Sequence, residues 1–244
     1  MRLLNTRTLE LEYFPAEEKP PYAILSHTWG TEEVLFEDAR DGAAKLRACL
    51  KKGLAKVLKT AELALAGGYH YAWIDTCCID KSSSAELSEA INSMFSWYRQ
   101  SSVCYAFLED YVHGKSNLGN SRWFTRGWTL QELIAPFDVR FYDSSWFMFG
   151  DRLRLSSRIS KITSIDLLIL VSNKMSWAAH RETTRVEDIA YCLMGIFDVN
   201  MPLLYGEGIK AFRRLQEEIV RRCNDQTILA WRREDFAGED LKQS

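Results

Sequence analysis

Glu132 is the residue with the most chemistry to offer. It lies in Trp123–Ile134 (WFTRGWTLQELI), which places Arg126, Trp128 and one carboxylate close together. A helix from about Arg126 sets Leu130, Leu133 and Ile134 in an apolar stripe, with Trp128 and Glu132, four apart, on a shared face. A carboxylate held beside an indole on a partly buried helix is costly unless its charge has a use. The plain alternative is a surface glutamate against a core tryptophan. Other polar groups follow short apolar runs. Ser26, His27, Thr28, Trp29 and Gly30 come after Tyr22–Leu25, Asp75 and Asp80 end and follow Tyr71–Ile74, and Glu109 and Asp110 follow Val103–Leu108.

Those runs must be the strands that position the chemistry. Four are expected: Tyr22–Ser26, Tyr71–Asp75, Val103–Leu108 and Val139–Tyr142. Between them lie helical patterns. Residues 45–66 carry apolar positions at Leu46, Leu50, Leu54, Val57, Leu58, Ala61 and Leu65, with Gly67-Gly68 as the stop and Gly53 weakening or splitting the helix. Ser83 and Glu86 fit a capping box opening a second helix, and the Glu132 segment supplies a third. Short strands alternating with helices predict an α/β fold with a mainly parallel sheet. In such sheets ligands bind beyond the carboxyl ends of the strands, where all the groups above would converge.

Residues 1–14 read as a hairpin or edge strand. After about residue 150 the pattern changes. A helix is ambiguous over 151–171, Thr184 and Glu187 fit a capping box for a helix through Ile196, and Gly208–Cys223 reads as an amphipathic helix. Thr227–Trp231 reads as a strand, and the polar tail after Asp235 as frayed. The expected division is therefore an α/β core over 1–150 and a mostly helical subdomain over 151–244.

Several chemistries are excluded by spacing. Gly114-Lys115-Ser116 is no phosphate-binding loop, because Glu109 stands where its first glycine belongs. Gly206, Gly208 and Ala211 mimic a dinucleotide fingerprint outside any βαβ unit, where a helix-entry turn suffices. Ser26 and His27, neighbours on a strand end, point apart and form no nucleophile–base pair. The six cysteines (49, 77, 78, 104, 192, 223) include no CxxC pair and the four histidines no ligand spacing, so no metal site is expected. All six read as reduced, in a cytoplasmic protein.

The 244 residues are 47% hydrophobic and 26% charged with net charge −2, a globular balance with no bulk attraction to nucleic acid or an anionic membrane. The most apolar run, Ile165–Val171, is too short to span a bilayer, and the N-terminus lacks a signal peptide's apolar core. The basic cluster of Lys45, Arg47, Lys51, Lys52, Lys56 and Lys59 reads as a solvated helix face.

Three blocks, Tyr22–Gly30 (YAILSHTWG), Tyr71–Asp80 (YAWIDTCCID) and Trp123–Leu133 (WFTRGWTLQEL), resemble the signature blocks of the fungal heterokaryon-incompatibility (HET) domain. Ser176-Trp177 and Thr183–Gly208 further resemble the branch found in NACHT/WD-repeat incompatibility proteins. Lys81 departs from the family's more frequent glutamine, removing an amide there. A weaker resemblance connects Tyr22–Ser26 and Trp128–Leu133 (WTLQEL) to the flavodoxin-like Toll/interleukin-receptor (TIR) domain, whose equivalent glutamate is catalytic in NAD-cleaving members.

These resemblances imply a cytoplasmic effector of cell death in non-self recognition, fused to or triggered by a NACHT/repeat receptor and forming a homo-oligomer on activation. They imply NAD or a related nucleotide as substrate, with no cofactor, and Glu132 as the catalytic residue. One carboxylate suffices, because nicotinamide leaves NAD as a neutral group and needs no general acid; the carboxylate stabilises the ribosyl cation. Trp29 or Trp128 would stack on a ring and Arg126 would pair with pyrophosphate. Ser26, His27, Gly30, Asp75 and Asp80 would shape the cleft. The alternative is a non-catalytic signalling module that works by homotypic assembly, with Glu132 only structural.

Overall fold

The computed structural model describes residues 1–15, 18–165, 178 and 181–222. The described strands are β1 (Arg2–Asn5), β2 (Leu11–Tyr13), β3 (Tyr22–His27), β4 (Tyr71–Trp73), β5 (Val103–Phe107), β6 (Val139–Tyr142) and β7 (Met148–Asp151). The helices are α1 (Phe36–Ala39), α2 (Ala43–Ala48), α3 (Leu54–Ala66), α4 (Asp75–Cys78), α5 (Ser84–Gln100), α6 (Thr129–Ile134), α7 (Ser156–Thr163), α8 (Asp188–Tyr191) and α9 (Lys210–Arg222).

β3 and β5 are buried at every position. Strands covered on both faces belong at the centre of a parallel sheet, and they pair there in parallel from Ala23/Val103 to His27/Phe107. The seven strands run in the order β2-β1-β4-β3-β5-β6-β7. Its four central strands, β4, β3, β5 and β6, are parallel. The N-terminal hairpin β1–β2 continues one edge through an antiparallel β1–β4 pair, and antiparallel β7 closes the other. This is a mixed, mostly parallel α/β sheet. Taken in chain order, the parallel strands lie 2-1-3-4, the doubly wound order whose switch point falls between the first and third, here β3 and β5.

Helices cover both faces. Tyr22, on the face shared with Ile24 and Ser26, donates its hydroxyl to the Trp97 carbonyl of α5 at 2.6 Å. Tyr105 lies beside Leu25 on the opposite face and donates to the Leu63 carbonyl of α3 at 3.2 Å. Ser26 therefore looks toward α5 and α6, and His27 toward α3, as strand alternation demands.

Several boundaries differ from the sequence reading. The 45–66 helix is two helices, because Gly53 sits against the Glu32–Glu33 backbone. A Cβ there would lie 2.8 Å from the Glu33 Cα, and the Gly53 N–H bonds the Glu32 carbonyl at 2.9 Å. β4 ends at Trp73, and Asp75 opens α4 instead of closing a strand. The Ser83 box is half formed: its hydroxyl accepts the Glu86 N–H, but the Glu86 carboxylate turns to the Asp80 N–H and to Arg2. Glu187 makes no capping box, because its carboxylate accepts the Gly206 and Gly208 N–H groups, and only 188–191 is α-helical. The expected Thr227–Trp231 strand, the tail, Ser176-Trp177, His180, Cys223 and the end of the 151–171 helix lie outside the described residues.

Candidate functional site

Glu132 belongs to α6, which begins at Thr129 and not near Arg126. A 3-10 turn at Arg122–Phe124 precedes it, capped by Ser121, while Asp110 binds the Ser121 hydroxyl and the Arg122 N–H. The Thr129 hydroxyl donates to the carbonyls of Trp123 and Arg126, tying the turn to the helix. This brings Glu132 against the end of β3. The Ser26 hydroxyl donates to Glu132 Oε2 at 2.5 Å and accepts the Trp123 indole N–H at 2.8 Å. Tyr98, whose hydroxyl bonds the Leu25 carbonyl at 2.9 Å, is a further hydrogen-bonding neighbour of the carboxyl.

The carboxyl is shut in. Glu132 is 7% exposed, and neither of the two best-formed cavities is lined by Glu132 or Ser26. Burial pushes its pKa up to about 8; the Ser26 hydrogen bond opposes this, and the charge of Asp75 adds to it. In this conformation the group is mostly protonated at neutral pH.

His27, Trp29 and Asp75 form a second cluster. His27 Nε2 lies 3.1 Å from Asp75 Oδ1, and the Trp29 indole N–H donates to Asp75 Oδ2 at 2.8 Å. Against the cost of burial, His27 and Lys81 hold Asp75 below the usual carboxylate range. The Lys81 ammonium sits 3.6 Å from the centre of the Trp29 ring, so a cation already occupies one face of the indole expected to stack on a nucleotide ring. The Gly30 N–H caps Glu33 Oε1 at 2.7 Å.

The structure therefore divides the residues expected to converge. Ser26 and Glu132 meet on the α5/α6 face, while His27, Trp29, Gly30 and Asp75 gather on the other side of β3. Asp80 belongs to neither group, since its carboxylate accepts the Ser82 N–H and hydroxyl. Arg126 forms no described ion pair with Glu132; its guanidinium donates to Thr184 at 3.3 Å. The Trp128 indole turns to Asp188 of α8 at 3.4 Å.

Sequence reasoning missed three supports. Lys56 is 6% exposed and not on a solvated face: its ammonium bonds Glu33 at 2.7 Å, Glu109 at 3.2 Å and the Thr28 carbonyl. His27, the Gly30 N–H and Lys56 outweigh burial and lower the Glu33 pKa. Arg181, also buried, donates to the Arg126 carbonyl at 2.7 Å and Thr129 Oγ1 at 3.0 Å. Trp123 was read as one aromatic among several, not as the donor that orients Ser26. Lys56 is out of step with the apolar positions Leu54, Val57, Leu58, Ala61 and Leu65, so the sequence carried no local signal for it.

No group of three or more His, Cys, Asp or Glu among the described residues is arranged to hold a metal ion, and no described helix is long and apolar enough to cross a membrane.

Residues 22–116 match the family described as heterokaryon incompatibility protein (HET), and residues 210–244 match a domain of unknown function, DUF8212. Among curated proteins the chain is 47% identical, over 84% of its length, to vegetative incompatibility protein HET-E-1 of Podospora anserina. It spans only 16% of that relative. No solved structure matches the chain.

Proposed function

The chain carries a HET domain of the fungal heterokaryon-incompatibility family, and from that premise we propose that it is the effector of a larger incompatibility protein, triggering cell death in non-self recognition by hydrolysing NAD at the nicotinamide–ribose bond. The proposed setting is the cytoplasm, with a TIR-like core over 1–150 and a helical subdomain over 151–244. A relative of which this chain spans 16% leaves room for a NACHT/repeat receptor in the same polypeptide.

The observation that carries the enzymatic reading is the Glu132 carboxyl, buried beside the end of β3 at the switch point and held by Ser26. A buried carboxyl with a displaced pKa at that place fits a functional group better than a structural one. In the reaction the bond from ribose C1′ to the nicotinamide nitrogen breaks, and its electron pair neutralises the ring. The Glu132 carboxylate stabilises the cationic sugar. Water then bonds to C1′ and releases a proton, giving nicotinamide and ADP-ribose without redox change.

The carboxylate must be ionised and reachable, so the described conformation is the resting one. Action requires α6 to part from β3 far enough to admit the ribose. Arg126, at the head of this segment and hydrogen-bonded to Thr184, is the residue proposed to pair with pyrophosphate once that bond is released. With a pKa near 8, roughly one molecule in ten is ionised at pH 7, so turnover rises toward pH 9.

A second reading has a specific observation behind it: neither of the two best-formed cavities is lined by Glu132. On that reading the domain signals by homotypic assembly and Glu132 is structural. Incubating the purified protein with NAD separates the two. The enzymatic reading expects nicotinamide release that falls about 100-fold or more in Glu132→Ala and Glu132→Gln. NAD left intact even by artificially clustered protein rejects it in favour of assembly.

A further inference from the structure

A serine hydroxyl has one proton to give and two lone pairs, and the fold leaves Ser26 little choice over how to use them. Its side chain is buried near the end of β3, between two groups brought by the α6 segment. One is the Trp123 indole N–H at 2.8 Å, a donor only, which must point at the Ser26 oxygen. The other, Glu132 Oε2 at 2.5 Å, receives the Ser26 proton. Among the described hydrogen bonds, the indole N–H is the only one that Ser26 Oγ accepts. The indole is locked in place. Trp123 is fully buried, its ring packs edge-on against Phe124 and Phe141 at 5.1 and 5.6 Å, and its carbonyl accepts the Thr129 hydroxyl. A purely packing role would need that ring but not its N–H.

We propose that Trp123 is a positioning residue for the Glu132 carboxylate, acting through Ser26: the indole N–H fixes the hydroxyl so that the serine proton is presented to Glu132 Oε2. Its catalytic meaning rests on the reading of Glu132 as the carboxylate that cleaves NAD. An ionised carboxylate only accepts hydrogen bonds, whereas the neutral acid also donates one. With the indole N–H in place, the serine proton faces the carboxyl, an arrangement that favours the charged form. Without it the hydroxyl is free to turn, and protonated Glu132 donates to the serine oxygen instead, which favours the neutral form. The step served is loss of the Glu132 proton to water in the resting conformation, ahead of the parting of α6 from β3. The other ionisable neighbours of the carboxyl are Tyr98 of α5, Cys104 of β5, Asp75 of α4, and Arg126 and Arg181 near the head of α6. Substitutions at Trp123 and Ser26 leave all of these in the chain, so a shift common to both reports the hydroxyl.

Titration of the glutamate carboxyl carbons by carbon-13 NMR, with Glu132→Gln identifying the Glu132 signal, tests this independently of activity. Trp123→Phe and Ser26→Ala are each expected to raise the Glu132 midpoint by about one pH unit, and the double variant by no more than Ser26→Ala alone. Nicotinamide release by Trp123→Phe is expected to fall about tenfold at pH 7 and to return to within about twofold of wild type at pH 9.5, where the carboxyl ionises in both. Should Trp123→Phe fail to fold, benzothienylalanine at the same position keeps the ring shape and replaces the N–H by sulfur, and the same shift is expected. An unmoved midpoint in the Trp123 variants, or shifts that add in the double variant, overturns the proposal. Midpoints that move as expected while wild-type protein leaves NAD intact would remove the enzymatic reading and leave the positioning of the carboxylate standing.

Discussion

Burial that raises the pKa of Glu132 also makes the folded state sensitive to pH. The unfolded chain gives up this proton near 4.5, and the folded chain holds it to about 8. Between those values the folded state binds a proton the unfolded state has lost, so the contribution of Glu132 is complete below pH 4.5 and declines by about 1.4 kcal/mol per pH unit up to 8. Glu132→Gln keeps the shape and cannot ionise. Urea unfolding at pH 5, 7 and 9 is therefore expected to show the variant gaining on wild type by about 4 kcal/mol across the series. Parallel stability curves would mean that the carboxyl is already ionised in the folded state. Glu132 could be picked from the sequence because tryptophan, glutamate and a helical stripe fall within one local window. Its hydrogen-bond partner could not, because Ser26 is 106 residues away and nothing local marks which strand-end hydroxyl a helix will meet. Lys56 was misread for the related reason that an ammonium's partners, Glu33 and Glu109, come from two other segments.

At the scale of elements, α6 is a helix of only six residues, too short to hold its position alone. A strap from the later part of the chain fixes it. The Glu182 N–H bonds the Thr125 carbonyl at 2.7 Å, the Gly127 N–H bonds the Glu182 carbonyl at 2.9 Å, and Arg181 holds Arg126 and Thr129. Gly127 allows this approach, since a Cβ there would stand 2.5 Å from Thr183 Cγ2. Arg181→Met removes both bonds to the head of α6 and is expected to destabilise the protein by about 2–4 kcal/mol. Hydrogen exchange should speed up first in the amides of 126–134. An unchanged exchange pattern there would show that α6 is held by packing alone. The strap explains why the sequence reading began the helix too early: periodicity runs through Arg126, but the backbone there pairs with Glu182 in a bridge. The strands were easier to read, because β3 and β5 are buried on both faces and show as unbroken apolar runs. β7 was missed because its Phe147–Gly150 neighbourhood mixes exposed and buried positions and pairs only at an edge.

Over the whole molecule, the alternation of strands and helices made the parallel sheet legible, and alternation along β3 already set Ser26 and His27 apart, while which of the two faces Glu132 joins became visible only in the fold. That separation leaves Glu132 enclosed by α5, α6 and β3, with nothing in the described fold that opens it. On the proposed enzymatic reading, contact with another copy is the source of opening that fits an effector activated by oligomer formation. The sheet ends in β2 and β7, with Tyr13, Phe147 and Met148 exposed, and no described strand pairs with the outer edge of either. Dilute protein should then release nicotinamide slowly, and specific activity should climb as concentration rises, because the active species grows with a power of concentration above one. Assays across a hundredfold dilution range at pH 8, with light scattering on the same samples, check this. A specific activity that stays constant while the scattering reports monomer would place the opening motion within the single chain.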